Sequence, residues 1–159
     1  MSKILSLKYH LLLFWLISLF TGFLFAVVID SNAGEVMGGT NGQFIMPTSK
    51  TVWLIYCCAA YLFQAAAYGI IAEIASEEDD EIPILLFWSQ FFLVIVWLGL
   101  YFGLHLAGAA LITLFVAVFA LIFALSEFRA ISLGALLMMI PYCGLICFLL
   151  FMNIYTFFV

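Results

Sequence analysis

Three apolar stretches of the chain carry neutral amides and aromatic rings at helical spacing. In residues 85–105, Phe87, Gln90, Val94, Trp97 and Tyr101 follow one another by three or four positions and share one helical face. Residues 51–72 repeat the arrangement with Trp53, Cys57, Tyr61, Gln64 and Tyr68, and the last apolar stretch repeats it with Tyr142, Ile146, Leu149 and Asn153. Such faces offer recognition rather than bond-making. Rings stack on a flat ligand or shape its walls, and amides orient it or tie helices together. A buried amide is costly in lipid, so these faces should look into protein or a cavity. Trp53, Tyr61, Gln90, Trp97, Tyr101, Tyr142 and Asn153 are the candidate ligand-binding residues.

The residue types that usually carry catalysis are poorly placed. His105 falls at a turn with no carboxylate or second histidine near it in sequence. Cys57, Cys58, Cys143 and Cys147 all lie within apolar runs and read as buried thiols rather than disulfides or zinc ligands. No acidic or basic residue stands well inside a span, which argues against a proton- or ion-coupled transporter. The glycines of residues 30–50 lack the spacing of a phosphate-binding loop. No catalytic or metal-binding residue is assigned, and no cofactor is required.

The elements that position these faces follow from composition. Of 159 residues, 69% are hydrophobic and only 8% are charged. A soluble domain of this size has too little interior to hide that much apolar surface, so lipid must be the solvent. Long apolar runs without period-two alternation favour helices over a β-barrel. The net charge of −5 is concentrated in Glu77, Glu78, Asp79, Asp80 and Glu81. With four Lys and Arg in all, nucleic acid is excluded as a partner.

The expected architecture is all-α: a single integral membrane domain over residues 1–159, folded as a five-transmembrane-helix bundle. A span needs ~20 apolar residues, and the helices are expected at about 9–29, 51–72, 84–103, 109–125 and 132–158. Ser18, Gly22 and Ala26 give the first helix a small-residue face for close approach. Residues 30–50 form a long loop rich in glycine, with Pro47, and read as a lid or plug over the bundle. An acidic loop is expected at 73–82, ending where Pro83 opens the next helix. The very short turn near His105 makes the third and fourth helices an antiparallel hairpin, and the fourth carries a seam of Ala110, Thr113, Ala117, Ala120 and Ala124. Residues 126–131 are expected to be a short loop, and Pro141 should kink the fifth helix. Lys3, Lys8 and Arg129 fall on one side, which places the N-terminus in the cytoplasm by the positive-inside rule.

With these motifs in place, the chain resembles the translocator protein / tryptophan-rich sensory protein family (TspO/MBR). Gln90, then Trp97 seven positions on, then Phe102-Gly103 repeat that family's third-span pattern. Pro141-Tyr142 followed by Asn153 repeats its fifth-span pattern, and Phe44 to Pro47 with Trp53 and Tyr56 is a loose version of its second. The chain departs at Val94, where the family usually has Asn, at Gly99, where it has Pro, and at Leu145, where it has Trp. The resemblance implies a five-helix bundle that binds porphyrins, haem or sterols in a pocket opening toward the first loop. It also implies a homodimer and a role in ligand transport.

The function expected from the residues and the resemblance together is a membrane receptor or carrier. Its partners would be the lipid bilayer and a porphyrin, haem or sterol-like ligand. The alternatives are a porphyrin-degrading enzyme that uses pocket tryptophans, or a structural partner of another membrane protein. The replacement at Leu145 weighs against the enzyme.

Overall fold

The computed structural model describes residues 12–28, 50–78 and 81–158. They fold into helices throughout: α1 (Leu12–Val28), α2 (Lys50–Glu78), α3 (Ile82–Leu98) continued by a wide π turn (Gly99–Gly103), α4 (Ala107–Ile131), α5 (Leu133–Met138) and α6 (Ile140–Phe158). Three segments, Thr51–Ala75, Ile82–Gly103 and Ala107–Ile131, are long and apolar enough to cross a bilayer, and Leu12–Val28 and Ile140–Tyr155 are shorter apolar helices. Large apolar side chains such as Phe20, Ile55, Phe92, Ile112 and Phe123 point outward. In water that surface would be untenable, and in lipid it is the expected exterior. The chain is an all-α integral membrane protein.

Three expected boundaries differ. The acidic loop at 73–82 is shorter at its start, because α2 runs on through Glu78. Glutamate and alanine are good helix formers, and the four charged or polar positions Glu73, Ser76, Glu77 and Glu78 do not end a helix that has no Gly or Pro there to stop it. Residues 126–131 are helical, not a loop. The buried row Ala110, Leu114, Ala117, Leu121, Ala124 continues to Phe128, and Arg129 in the last turn suits the negative end of the helix dipole. The helix stops only at Ser132, whose extended backbone (φ −154°, ψ 118°) and Oγ, accepting from the Ala135 N–H, cap α5. The expected fifth helix, 132–158, is two segments rather than one, so the described residues hold six helices and not five uninterrupted ones. Pro141 has no N–H for the preceding turn, and the break falls at Met139 just before it.

The loop at 30–50, save Lys50 at its end, lies outside the described residues, as do Lys3, Lys8, Asp79 and Asp80, on which the orientation and part of the acidic run rest. All four cysteines are free, but only Cys57 is buried as expected; Cys58 and Cys143 are half-buried and Cys147 is exposed on the outer side of α6. In the fourth-helix seam Ala110, Ala117 and Ala124 are buried, whereas Thr113 and Ala120 flank it; Thr113 returns its hydroxyl proton to the Ala109 carbonyl at 2.9 Å.

The first three helices alternate in direction. Phe14 of α1 meets Tyr68 of α2 and both Phe87 and Phe91 of α3, while Phe25 meets Tyr61 and Trp97. α1 therefore runs antiparallel to α2 and parallel to α3. Gly22 is what lets α1 lie close: a Cβ there would stand 3.1 Å from the Tyr61 Cβ and 3.2 Å from the Cys57 carbonyl oxygen.

Candidate functional site

Every residue of the predicted third-helix face points inward. Phe87, Gln90, Val94, Trp97 and Tyr101 are all buried, and so are Trp53, Cys57, Tyr61 and Gln64 of α2 and Tyr142, Ile146, Leu149 and Asn153 of α6. The spacing of three and four in each helix produces this convergence. The seven candidate residues thus line one interior shared by α2, α3 and α6.

Two polar ties cross from α3 to α6. The Tyr142 hydroxyl donates to Gln90 Oε1 at 2.9 Å. Trp97 Nε1 donates to Asn153 Oδ1 at 2.7 Å, and Asn153 Nδ2 donates to the Ala107 carbonyl at 3.3 Å, in the amide orientation that satisfies both neighbours. Asn153 therefore fastens α6 to both arms of the α3–α4 hairpin. Its polar atoms, and those of Trp97, are engaged within the protein.

The aromatic rings build the walls. Tyr101, on the π turn, stacks on Trp97 with centroids 5.3 Å apart and planes at 21°. The turn is closed by the Leu104 N–H on the Gly99 carbonyl and the Leu106 N–H on the Leu100 carbonyl, and His105 completes the hairpin at φ 54°. Widened helical turns of this kind recur at functional sites. Tyr61 meets Tyr142 edge-on at 5.6 Å and Phe91 at 6.3 Å. Trp53 stands at another level, against Phe148 at 5.1 Å. Near it the Tyr56 hydroxyl donates to the Pro141 carbonyl at 2.8 Å, an approach that depends on Gly144 having no side chain.

Some polar atoms in this interior have no partner: Trp53 Nε1, both Gln64 amide atoms, Gln90 Nε2 and Ser18 Oγ. The Gln64 amide lies beside the Tyr142 hydroxyl, which gives its proton to Gln90 and whose oxygen faces Gln64 outside hydrogen-bonding geometry. Buried polar groups are nearly always paired, so a cluster of unpaired ones marks a place where something else can bind. With no charged side chain buried among the described residues, the chemistry available is neutral hydrogen bonding and ring contact. Gln64, Ser18, Phe25 and Phe91 belong to this interior and were not among the candidates. Gln64 shares the predicted α2 face with Tyr61, and Ser18 opens the small-residue face of α1, so both carried a signal. Phe25 and Phe91 are two phenylalanines among eighteen, which spacing alone does not single out.

The model of the TspO/MBR family matches residues 11–159, nearly the whole chain. No curated protein matches the chain, and no solved structure does.

Proposed function

Since the chain belongs to the TspO/MBR family, we propose that it is a membrane receptor or carrier for a flat, largely apolar ligand of the porphyrin, haem or sterol class. Membership of the family points to a membrane-embedded protein of ligand binding or transport; the ligand class is the further step. One observation supports that step above the others. Gln64 and Gln90 Nε2 are buried without partners beside the paired rings of Tyr61 and Tyr142, and Trp53 Nε1 is buried without one at another level, against Phe148. Ligand pockets have this composition, apolar and aromatic walls with a few polar groups that orient the guest. In the hydrocarbon layer no bulk water is at hand to pair such groups, so leaving them unmatched is costly.

The test is quenching of tryptophan fluorescence in the detergent-purified protein, titrated with protoporphyrin IX and separately with a fluorescent sterol. Saturable quenching by either one, weakened in Trp53→Phe, is the expected result. Linear, unsaturated quenching by both, unchanged by the substitution, would overturn the proposal. As part of the same reading the protein acts as a homodimer, and crosslinking in native membranes would reveal the paired chain.

A further inference from the structure

Ser18, Gln64 and Gln90 come from three different helices yet stand at one level of the bundle. Ser18 lies four residues from Phe14 and four from Gly22. Phe14 touches Tyr68, and Gly22 touches Tyr61 and Cys57. Ser18 is therefore level with the middle of that interval on α2, where Gln64 sits. On α3, Phe87 touches Tyr68 and Phe91 touches Tyr61, so Gln90, between them, faces the same interval of α2 that holds Gln64. All three polar side chains are essentially fully buried.

Each of them is unpaired for a reason that can be read. Thr21, Ser89, Thr113 and Ser126 all return their hydroxyl protons to a carbonyl of the preceding turn, as hydroxyls in helices ordinarily do. Ser18 Oγ makes no such bond. Gln64 leaves both amide atoms unpaired, and Gln90 spends its oxygen on Tyr142 and leaves its NH2 free. At one depth the interior thus presents free donors from Gln64 and Gln90, a free acceptor from Gln64, and a hydroxyl from Ser18 that can serve as either. No charge accompanies them.

We infer that Ser18, Gln64 and Gln90 form a neutral hydrogen-bonding subsite that holds the hydroxyl or carbonyl group of an apolar ligand deep in the bundle. The inference rests on the ligand-binding reading above and narrows it. A carboxylate at this depth would be buried without a cation to pair it, which is far more costly than burying a neutral group. The end of the ligand that reaches this layer is therefore uncharged, and a neutral hydroxylated frame of the sterol type fits it better than the carboxylate edge of a porphyrin.

The probes are dehydroergosterol, which carries one hydroxyl, and its 3-deoxy analogue, followed by energy transfer from tryptophan in the full-length detergent-purified protein. The hydroxylated probe should bind ~10-fold more tightly, the scale of one buried hydrogen bond. Gln64→Leu and Ser18→Ala should each erase most of that difference while leaving the deoxy analogue unaffected. Equal affinity for the two probes would overturn the subsite while leaving the ligand-binding reading intact. Failure of both probes and of protoporphyrin IX to bind would remove that reading and the subsite with it. A ligand-free readout stands beside these. Gln64→Leu, which removes an unpaired amide, should melt at the same temperature as the native protein or higher, and a lower melting temperature would show that Gln64 is paired inside the protein and overturn the inference.

Discussion

The Tyr142 hydroxyl donates to Gln90 Oε1 across 2.9 Å, and so joins α6 to α3 at the layer where the amide nitrogen of Gln90 and both ends of Gln64 remain unpaired. This bond fixes which end of the Gln90 amide is free. Tyr142→Phe removes the donor and leaves Gln90 with no partner at all. A loss of about 1–3 kcal/mol is expected, read as a lower midpoint in thermal unfolding in detergent. An unchanged midpoint would mean that the hydroxyl contributes nothing to joining these helices.

Asn153 meets two groups at once, the Trp97 indole N–H and the Ala107 carbonyl. Asn153→Leu keeps most of the volume and removes both bonds, leaving the fully buried Trp97 N–H without an acceptor. Stability should fall by about 1–3 kcal/mol, and the emission of Trp97 should change as its hydrogen bond is lost. A variant with unaltered stability and emission would contradict the assigned amide orientation.

A Cβ at Gly144 would stand 2.7 Å from the Tyr56 hydroxyl oxygen. Gly144→Ala therefore displaces Tyr56 from the Pro141 carbonyl and costs a hydrogen bond of about 1 kcal/mol, partly offset by the better helix propensity of alanine. In Tyr56→Phe the obstructing oxygen is absent. Adding Gly144→Ala to Tyr56→Phe should thus cost less than adding it to the native protein, a coupling that a double-mutant cycle on melting temperatures measures directly. Strict additivity would show that the two residues do not meet.

Gly22 faces less yielding neighbours, the Cβ of Tyr61 and the backbone oxygen of Cys57. These cannot swing aside as the tip of a side chain can. Gly22→Ala should push α1 from α2 and destabilise by about 1–3 kcal/mol, and Gly22→Leu by more. Equal stability in all three proteins would mean that α1 docks elsewhere.

Much of the interior was legible because one physical rule governs it. In lipid a helix hides its polar and small residues, so spacing alone marked Gln90, Trp97, Tyr142 and Asn153 as inward, and they are buried. Helix ends were less legible. Glu77 and Glu78 look like a loop by charge, yet charge does not stop a helix once it leaves the hydrocarbon, and α2 includes both. The run from Ser126 to Ile131 looked polar for a span, but Phe128 is buried and holds the last turn of α4 in place.

The sequence by itself determined the solvent, the helical class and the inward faces, because hydrophobic content and a period of three to four residues are properties of the chain before it folds. It also carried the family, through residues whose spacing survives along single helices. Only the tertiary structure decided how the polar atoms are shared. Whether Asn153 orients a ligand or clasps Trp97, and whether Gln64 or Gln90 receives the proton of Tyr142, depends on distances between helices that no spacing along one of them encodes. The unpaired layer at Ser18, Gln64 and Gln90 is of that kind: each residue reads as ordinary in its own helix, and only the packing brings them level and leaves them unsatisfied.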